Sequence, residues 1–229
     1  MKINIVTLLF CLLLIKSVNA EEISSRVFFY EEIEQGVGAQ TMRYIVNENY
    51  LRIDNGEDNA DFILFDRQKK IIHSINHEDR TILKIENKQW IAPGFDFKVK
   101  ILQDIMHDAP KISNKQVFSY IVKADDTVCT QVSLIKDMYA KDMQVFYQYQ
   151  QVLSGQQVAT LKNTPEELHT PCFLIDQIYH SGNYYKQGLP VHISYSRGYE
   201  KFLKDYKESE IEAGLFVKPE GYSEYTAAF

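Results

Sequence analysis

Six histidines, two acidic clusters and three cysteines are the residues best equipped for chemistry, and their spacing narrows what they can do. His73 and His77 stand four apart on a predicted strand and its turn. On an extended chain they point the same way but lie about 13 Å apart, too far for one metal ion. His169 precedes Cys172 by three residues, a spacing that suggests a thiol nucleophile, but Pro171 intervenes and the cysteine is better used in a disulfide. Asp54, Glu57, Asp58 and Asp61 surround the Asn55-Gly56 turn. Such a turn can bind calcium, yet Gly56 falls too early for an EF-hand loop, so a solvated hairpin tip is expected. Asp125-Asp126 reads the same way. No G-x-S-x-G, P-loop, dinucleotide fingerprint or H-E-x-x-H occurs. No cofactor and no metal are expected, and the chain does not read as an enzyme. A hydrolase whose carboxylates meet only in space is the remote alternative.

Cys129 and Cys172 are the remaining chemical pair once Cys11 is set aside with the N-terminal segment. In an oxidising compartment they are expected to form a disulfide, the alternative being two buried thiols. No C-x-x-C points to redox work, and two lone cysteines do not make a zinc site.

The elements that position these residues are mostly short strands. Runs such as Thr41–Val46, Tyr50–Asp54, Phe62–Phe65, Ile71–Ile75 and Thr81–Ile85 recur about every ten residues, the spacing of an antiparallel meander. Phe62–Phe65 is apolar on both faces, which fits a sheet covered on both sides, either by a packed core or by a cavity and its helices. Trp90–Phe97 breaks the rhythm: Trp90, Phe95 and Phe97 are candidate rim residues over a hydrophobic cavity, or a plug on the core. Val99–Met106 reads as a short helix. Asp142 opens a helix with Met143, Phe146, Tyr149 and Leu153 on one face, which Gly155 should stop or bend. Thr164-Pro165-Glu166-Glu167 reads as a capping box, and Thr170-Pro171 as the cap of a second helix reaching His180. Tyr199–Tyr206 fits strand or helix, Leu215–Val217 a last short strand, and the tail beyond Tyr225 should fray.

Residues 1–20 read as a secretory signal: Lys2, then an apolar run from Ile3 to Ile15, then Val18-Asn19-Ala20 before a cut ahead of Glu21. The apolar run is shorter than the roughly 20 residues of a spanning helix, and no later segment is long enough. The chain is 45% hydrophobic and 24% charged, which excludes global disorder. Its net charge of −6, with no basic block, argues against nucleic acid. An exported single domain over 21–229 is expected, soluble and periplasmic, with no integral membrane segment after cleavage and a helical insert at about 142–181.

Met42-Arg43-Tyr44, Leu51-Arg52-Ile53-Asp54, Ile63-Leu64-Phe65-Asp66, Ile75-Asn76, Ile82-Leu83-Lys84-Ile85 and the closing Leu215-Phe216-Val217-Lys218-Pro219-Glu220-Gly221-Tyr222 together resemble the LolA/LolB-like lipoprotein-carrier superfamily of Gram-negative envelopes. The resemblance covers much of 23–86 and 188–222, and is nearest to uncharacterised periplasmic branches. It implies an α+β fold: a curved antiparallel sheet forming a half-open barrel, with two or three helices packed in its mouth. It also implies a carrier-like function, binding an acyl chain or lipoprotein. The helical insert and its disulfide depart from that pattern, and no cavity arginine typical of carriers can be placed. The alternative reading is an envelope interaction module with a filled barrel, whose aromatic loop docks a protein partner.

Overall fold

The computed structural model describes residues 21–91, 94–161 and 163–227. The expected signal and its junction at Ala20 and Glu21 therefore fall outside the described residues, Glu21 itself excepted. Twelve strands form one sheet among the described residues. They are β1 (Glu22–Glu34), β2 (Gly38–Val46), β3 (Tyr50–Asp54), β4 (Phe62–Asp66), β5 (Ile71–Asn76), β6 (Thr81–Glu86), β7 (Val99–Ile105), β8 (Phe118–Ala124), β9 (Thr127–Lys136), β10 (Gly188–Tyr195), β11 (Tyr199–Glu212) and β12 (Ser223–Thr226). Their spatial order is β12-β6-β5-β4-β3-β2-β1-β11-β10-β9-β8-β7, so the sheet is open and its edges are β12 and β7. Every pairing is antiparallel except β12 on β6. Helix α1 (Ala140–Leu161) and a shorter helix α2 (Pro171–Leu174), continued by a π-turn over Ile175–Tyr179, make up the insert between β9 and β10.

The sheet must curve. Helix α1 touches both β6 and β10, which are seven ladder steps apart in the strand order. On a flat sheet seven steps would span about 33 Å, three times a helix diameter. Alternation along each strand supplies the two faces. Phe28, Tyr30, Tyr44, Leu51, Ile53 and Phe65 turn inward and pack with Met143, Phe146 and Tyr149 of α1. Val27, Ile45, Phe62, Leu64 and Ile75 turn outward, where Leu215, Phe216 and Tyr222 cover them. The double apolarity of Phe62–Phe65 thus has a cause on each side: helices within, the C-terminal segment without.

Both covers are pinned by arginines. Arg26 of β1 donates to Asp142 at 2.6 Å, pairs with Glu208 at 2.7 Å and lies 3.8 Å over the Tyr139 ring, which fixes the start of α1. Asp142 also suits the positive end of the helix dipole. On the outer face the buried Arg52 donates to Asp54 (2.6 Å) and to the Leu215 carbonyl (2.8 Å), over the ring of Phe62.

Several sequence expectations need correction. Asp54 is no solvated tip residue: it is buried between Arg43 and Arg52, and its carboxyl is held low by them against the upward push of burial. Val99–Ile105 is a strand, because β8 offers it a full ladder; its apolar residues fit helical spacing equally well in sequence. Helix α1 runs through Gly155 to Leu161. The glycine is there for close approach, since a Cβ would meet the Lys88 carbonyl at 3.0 Å and Trp90 at 3.4 Å. The expected capping box at Thr164 gives only a 3-10 turn, Glu166–Leu168, without a side-chain cap, while Thr170 does cap α2 by accepting from the Phe173 amide. Tyr199–Tyr206 belongs to a strand, and Ala213–Phe216 is a 3-10 turn rather than a strand, because Phe216 must turn down onto the outer core. The tail is ordered through β12, whose ladder on β6 continues with Ala227 donating to Lys84.

Candidate functional site

A cavity of about 300 Å³ lies between the inner face of the sheet and the insert. The strand order sets out its wall. Ile63 of β4, Ile53 of β3 and Met42 of β2 form an apolar flank, completed by Leu153 of α1. At the centre, Glu32 of β1 stands directly across the ladder from Lys201 of β11. Beyond them Tyr199 of β11 and Tyr195 of β10 face each other, with Arg197 in the turn between and Asp176 and Gln177 on the π-turn. Across the wall, apolar surface gives way to charge and then to hydroxyls.

The central pair is caged by aromatics. Lys201 is only 4% exposed; its ammonium is 3.1 Å from Glu32, 3.6 Å from the Tyr44 centroid and 4.3 Å from that of Tyr30. Tyr44 donates its hydroxyl to Glu32 as well. Burial pushes the Glu32 carboxyl up, but the Lys201 charge and hydrogen bonds from Tyr44, Lys201 and Tyr199 carry it below its usual value. Burial lowers Lys201, opposed by Glu32. Each charge is thus compensated by the other and by the surrounding hydroxyls.

Asp176 is the group most open to protonation. It is 5% exposed, accepts from the Thr130 hydroxyl, and burial raises it to about 6, against the lowering influence of Thr130 and Arg197. The tyrosines line the same space: Tyr184 and Tyr195 share a hydrogen bond of 2.9 Å, and burial raises both hydroxyls, Tyr195 to about 12. They are neutral donors and acceptors near pH 7, not bases.

The raised Asp176 carries a stability consequence. The folded state holds its proton more tightly than the unfolded chain does. The favourable contribution is therefore complete below the unfolded value of about 3.9 and is lost as pH rises through about 6, at a cost of about 3 kcal/mol. Asp176→Asn should abolish that slope and unfold at higher urea than the wild type at pH 7.5. Urea titrations at stepped pH check this; an unchanged slope between pH 4 and 6.5 would remove Asp176 from the account.

The aromatic loop residues lie elsewhere. Trp90 sits beside Gln151 in a separate outer cleft. Phe95 stacks on Phe97 at 4.3 Å and meets the Tyr179 ring at a tilt, centroids 4.5 Å apart, bracing the π-turn that carries Asp176. None of the three lines the 300 Å³ cavity. Cys129 and Cys172 form the expected disulfide, tying α2 to β9. Glu32, Lys201, Asp176 and Arg197 escaped the sequence reading. Two of them did carry a signal: Glu32 continues the inward phase of Phe28 and Tyr30, and Lys201 stands in phase with Tyr199 and Leu203. A charge in the buried phase of a strand marks a group held by a partner.

These features define a class: an open, curved antiparallel sheet with a helical insert enclosing a small mixed-polarity cavity. No family model matches this chain, and no curated protein matches it. Among solved structures it is similar to PNGF-II, in crystals of space group C2 (TM-score 0.45, 10% identity, 90% of this chain and 31% of that one). The P21 crystal form of PNGF-II gives a TM-score of 0.46 and 8% identity, over 90% of this chain and 32% of that one. The chain thus spans about a third of that protein's length. Among the described residues no helix is long and apolar enough to cross a membrane.

Proposed function

We propose that this chain is an exported, periplasmic binding protein, carrier-like, for the apolar chain of an amphipathic ligand such as a fatty acid, a lipid or the acyl group of a lipoprotein. The observation that carries the reading is the gradient across the cavity wall. An acyl chain would lie along Met42, Ile53, Ile63 and Leu153, with its polar end toward Arg197, Tyr195 and Asp176. The cavity volume is at the small end of ligand pockets, which suits part of a chain or a short one. The disulfide is in keeping with an oxidising compartment. The sequence resemblance to the LolA/LolB-like superfamily points the same way, and so does the unclosed curved sheet with helices on its inner face.

Leu153→Trp tests the reading. Leu153 is a half-buried rim residue on α1, so an indole there fills the apolar flank without opening a void. Titration calorimetry with decanoate and dodecanoate should give affinities on the order of micromolar for the wild type. The variant should bind at least tenfold more weakly, with its melting temperature nearly unchanged. Equal binding by both proteins places the chain outside this cavity and sinks the proposal.

A further inference from the structure

The edge strand β7 takes no part in the cavity wall. All of its residues after Val99 are exposed, among them Ile101 (43%), Leu102 (49%) and Ile105 (39%). A long edge with apolar side chains on both faces is what proteins usually avoid, because its free amides and carbonyls will pair with another strand. The direction of those groups is fixed. Met106 donates to Val117, and Asp125 donates to Lys98, so the even-numbered residues face β8. Val99, Ile101, Gln103 and Ile105 therefore aim their backbone groups outward.

We propose that β7 is a dimerisation edge that pairs antiparallel with β7 of a second copy of this chain, about a two-fold axis through Leu102. The sequence Val99-Lys100-Ile101-Leu102-Gln103-Asp104-Ile105 is complementary to itself in that register. Lys100 meets Asp104 of the second copy, twice. Leu102 meets its own equivalent, and Val99 meets Ile105. The outward residues fall opposite outward residues, as hydrogen-bonded pairs must. Sliding by two residues one way sets Leu102 against Asp104 and loses both charge pairs; sliding the other way sets Lys100 against Leu102 and leaves Asp104 only Lys98, which lies beyond the end of the strand. An isologous contact of this kind closes at two subunits and does not propagate.

The present partners of the two charges are easily exchanged. Lys100 reaches Asp126, whose side chain is fully in solvent, a pairing of little worth. Asp104 accepts from the Ile105 amide, one of the outward donors that a second strand would take over. The interface is one strand wide and thus below the standard size of about 800 Å² per partner, so the dimer is weak, with a Kd on the order of tens of micromolar.

Two experiments test it. Leu102→Cys places two thiols across a non-hydrogen-bonded pair with Cα atoms about 4.5 Å apart, inside the range of a disulfide. It should cross-link to a dimer under mild oxidation much faster than Gln103→Cys, Ile101→Cys or the exposed-loop control Val37→Cys, with the wild type setting the background. Sedimentation velocity over a concentration series should show the wild-type dimer, weakened at least tenfold in Lys100→Glu and restored in Lys100→Glu/Asp104→Lys. A monomer at every concentration with no preference for position 102 would overturn the proposal. So would cross-linking that favours position 101 or 103, or self-association unmoved by the charge reversal.

Discussion

Replacing Lys201 by Met will lower the unfolding free energy by about 3–5 kcal/mol at pH 7, the cost of leaving a buried carboxylate without its counter-charge. The ammonium is nearly all buried, 3.1 Å from Glu32 and over the rings of Tyr30 and Tyr44, so its removal leaves Glu32 without a compensating charge. The pH dependence separates this from simple loss of packing. In the wild type the Glu32 carboxyl is held low, so its stabilising contribution is present above the unfolded value of about 4.3 and is lost as pH falls through the lower folded value. Without Lys201 burial dominates and the carboxyl rises, so the variant gains stability relative to wild type as the solution is acidified. Glu32→Gln/Lys201→Met should recover most of the loss, since an uncharged pair of similar bulk needs no counter-ion. Urea unfolding at pH 7.5 and pH 4 reads all three proteins. A loss under 1 kcal/mol in the single variant would mean that Glu32 is solvated.

The second large effect belongs to the disulfide. Cys129 and Cys172 are 43 residues apart in sequence, and a loop of that size is valued at about 4 kcal/mol by unfolded-chain entropy. Cys129→Ala/Cys172→Ala should lower the melting temperature by roughly 8–16 °C at this chain length. The damage should concentrate in the insert, because the bond joins α2 to β9, while α1 keeps its own anchor at Arg26. Limited proteolysis should cut first between residues 162 and 187, with the meander β1–β6 protected. Uniform susceptibility across the chain would show that the insert and sheet unfold as one unit.

Legibility in the sequence followed burial. The meander β2–β6 is plain because its strands alternate against two real faces, and the inward stripe Met143, Phe146 and Tyr149 is plain because α1 has one buried side. The disulfide could be read because compartment and count left a single pairing. Strand β7 could not be read, since an edge strand with no buried face carries no period of its own. Gly155 misled because helix propensity is local, whereas its reason is the backbone of residue 88 crossing above it. The cavity was half legible. Its apolar wall lies on recognised strands, and Glu32 and Lys201 are charges in a buried phase. Arg197 and Asp176 sit on a turn and a π-turn, where neither period nor composition distinguishes them from solvated residues. The aromatic cluster of Trp90, Phe95 and Phe97 drew attention by composition; Phe97 packs against the main core, Phe95 against Tyr179, and Trp90 lies beside Gln151 in a separate cleft.

The proposed ligand, an amphipathic molecule with its apolar part in the inner cavity, can be looked for directly. The decisive measurement is native mass spectrometry of the gently purified protein. Expected is a population heavier than the calculated chain mass that collapses to that mass on extraction with organic solvent, and uptake of added dodecanoate by the extracted wild type but not by Leu153→Trp. A single unliganded mass before extraction, with no uptake of dodecanoate afterwards, would contradict it.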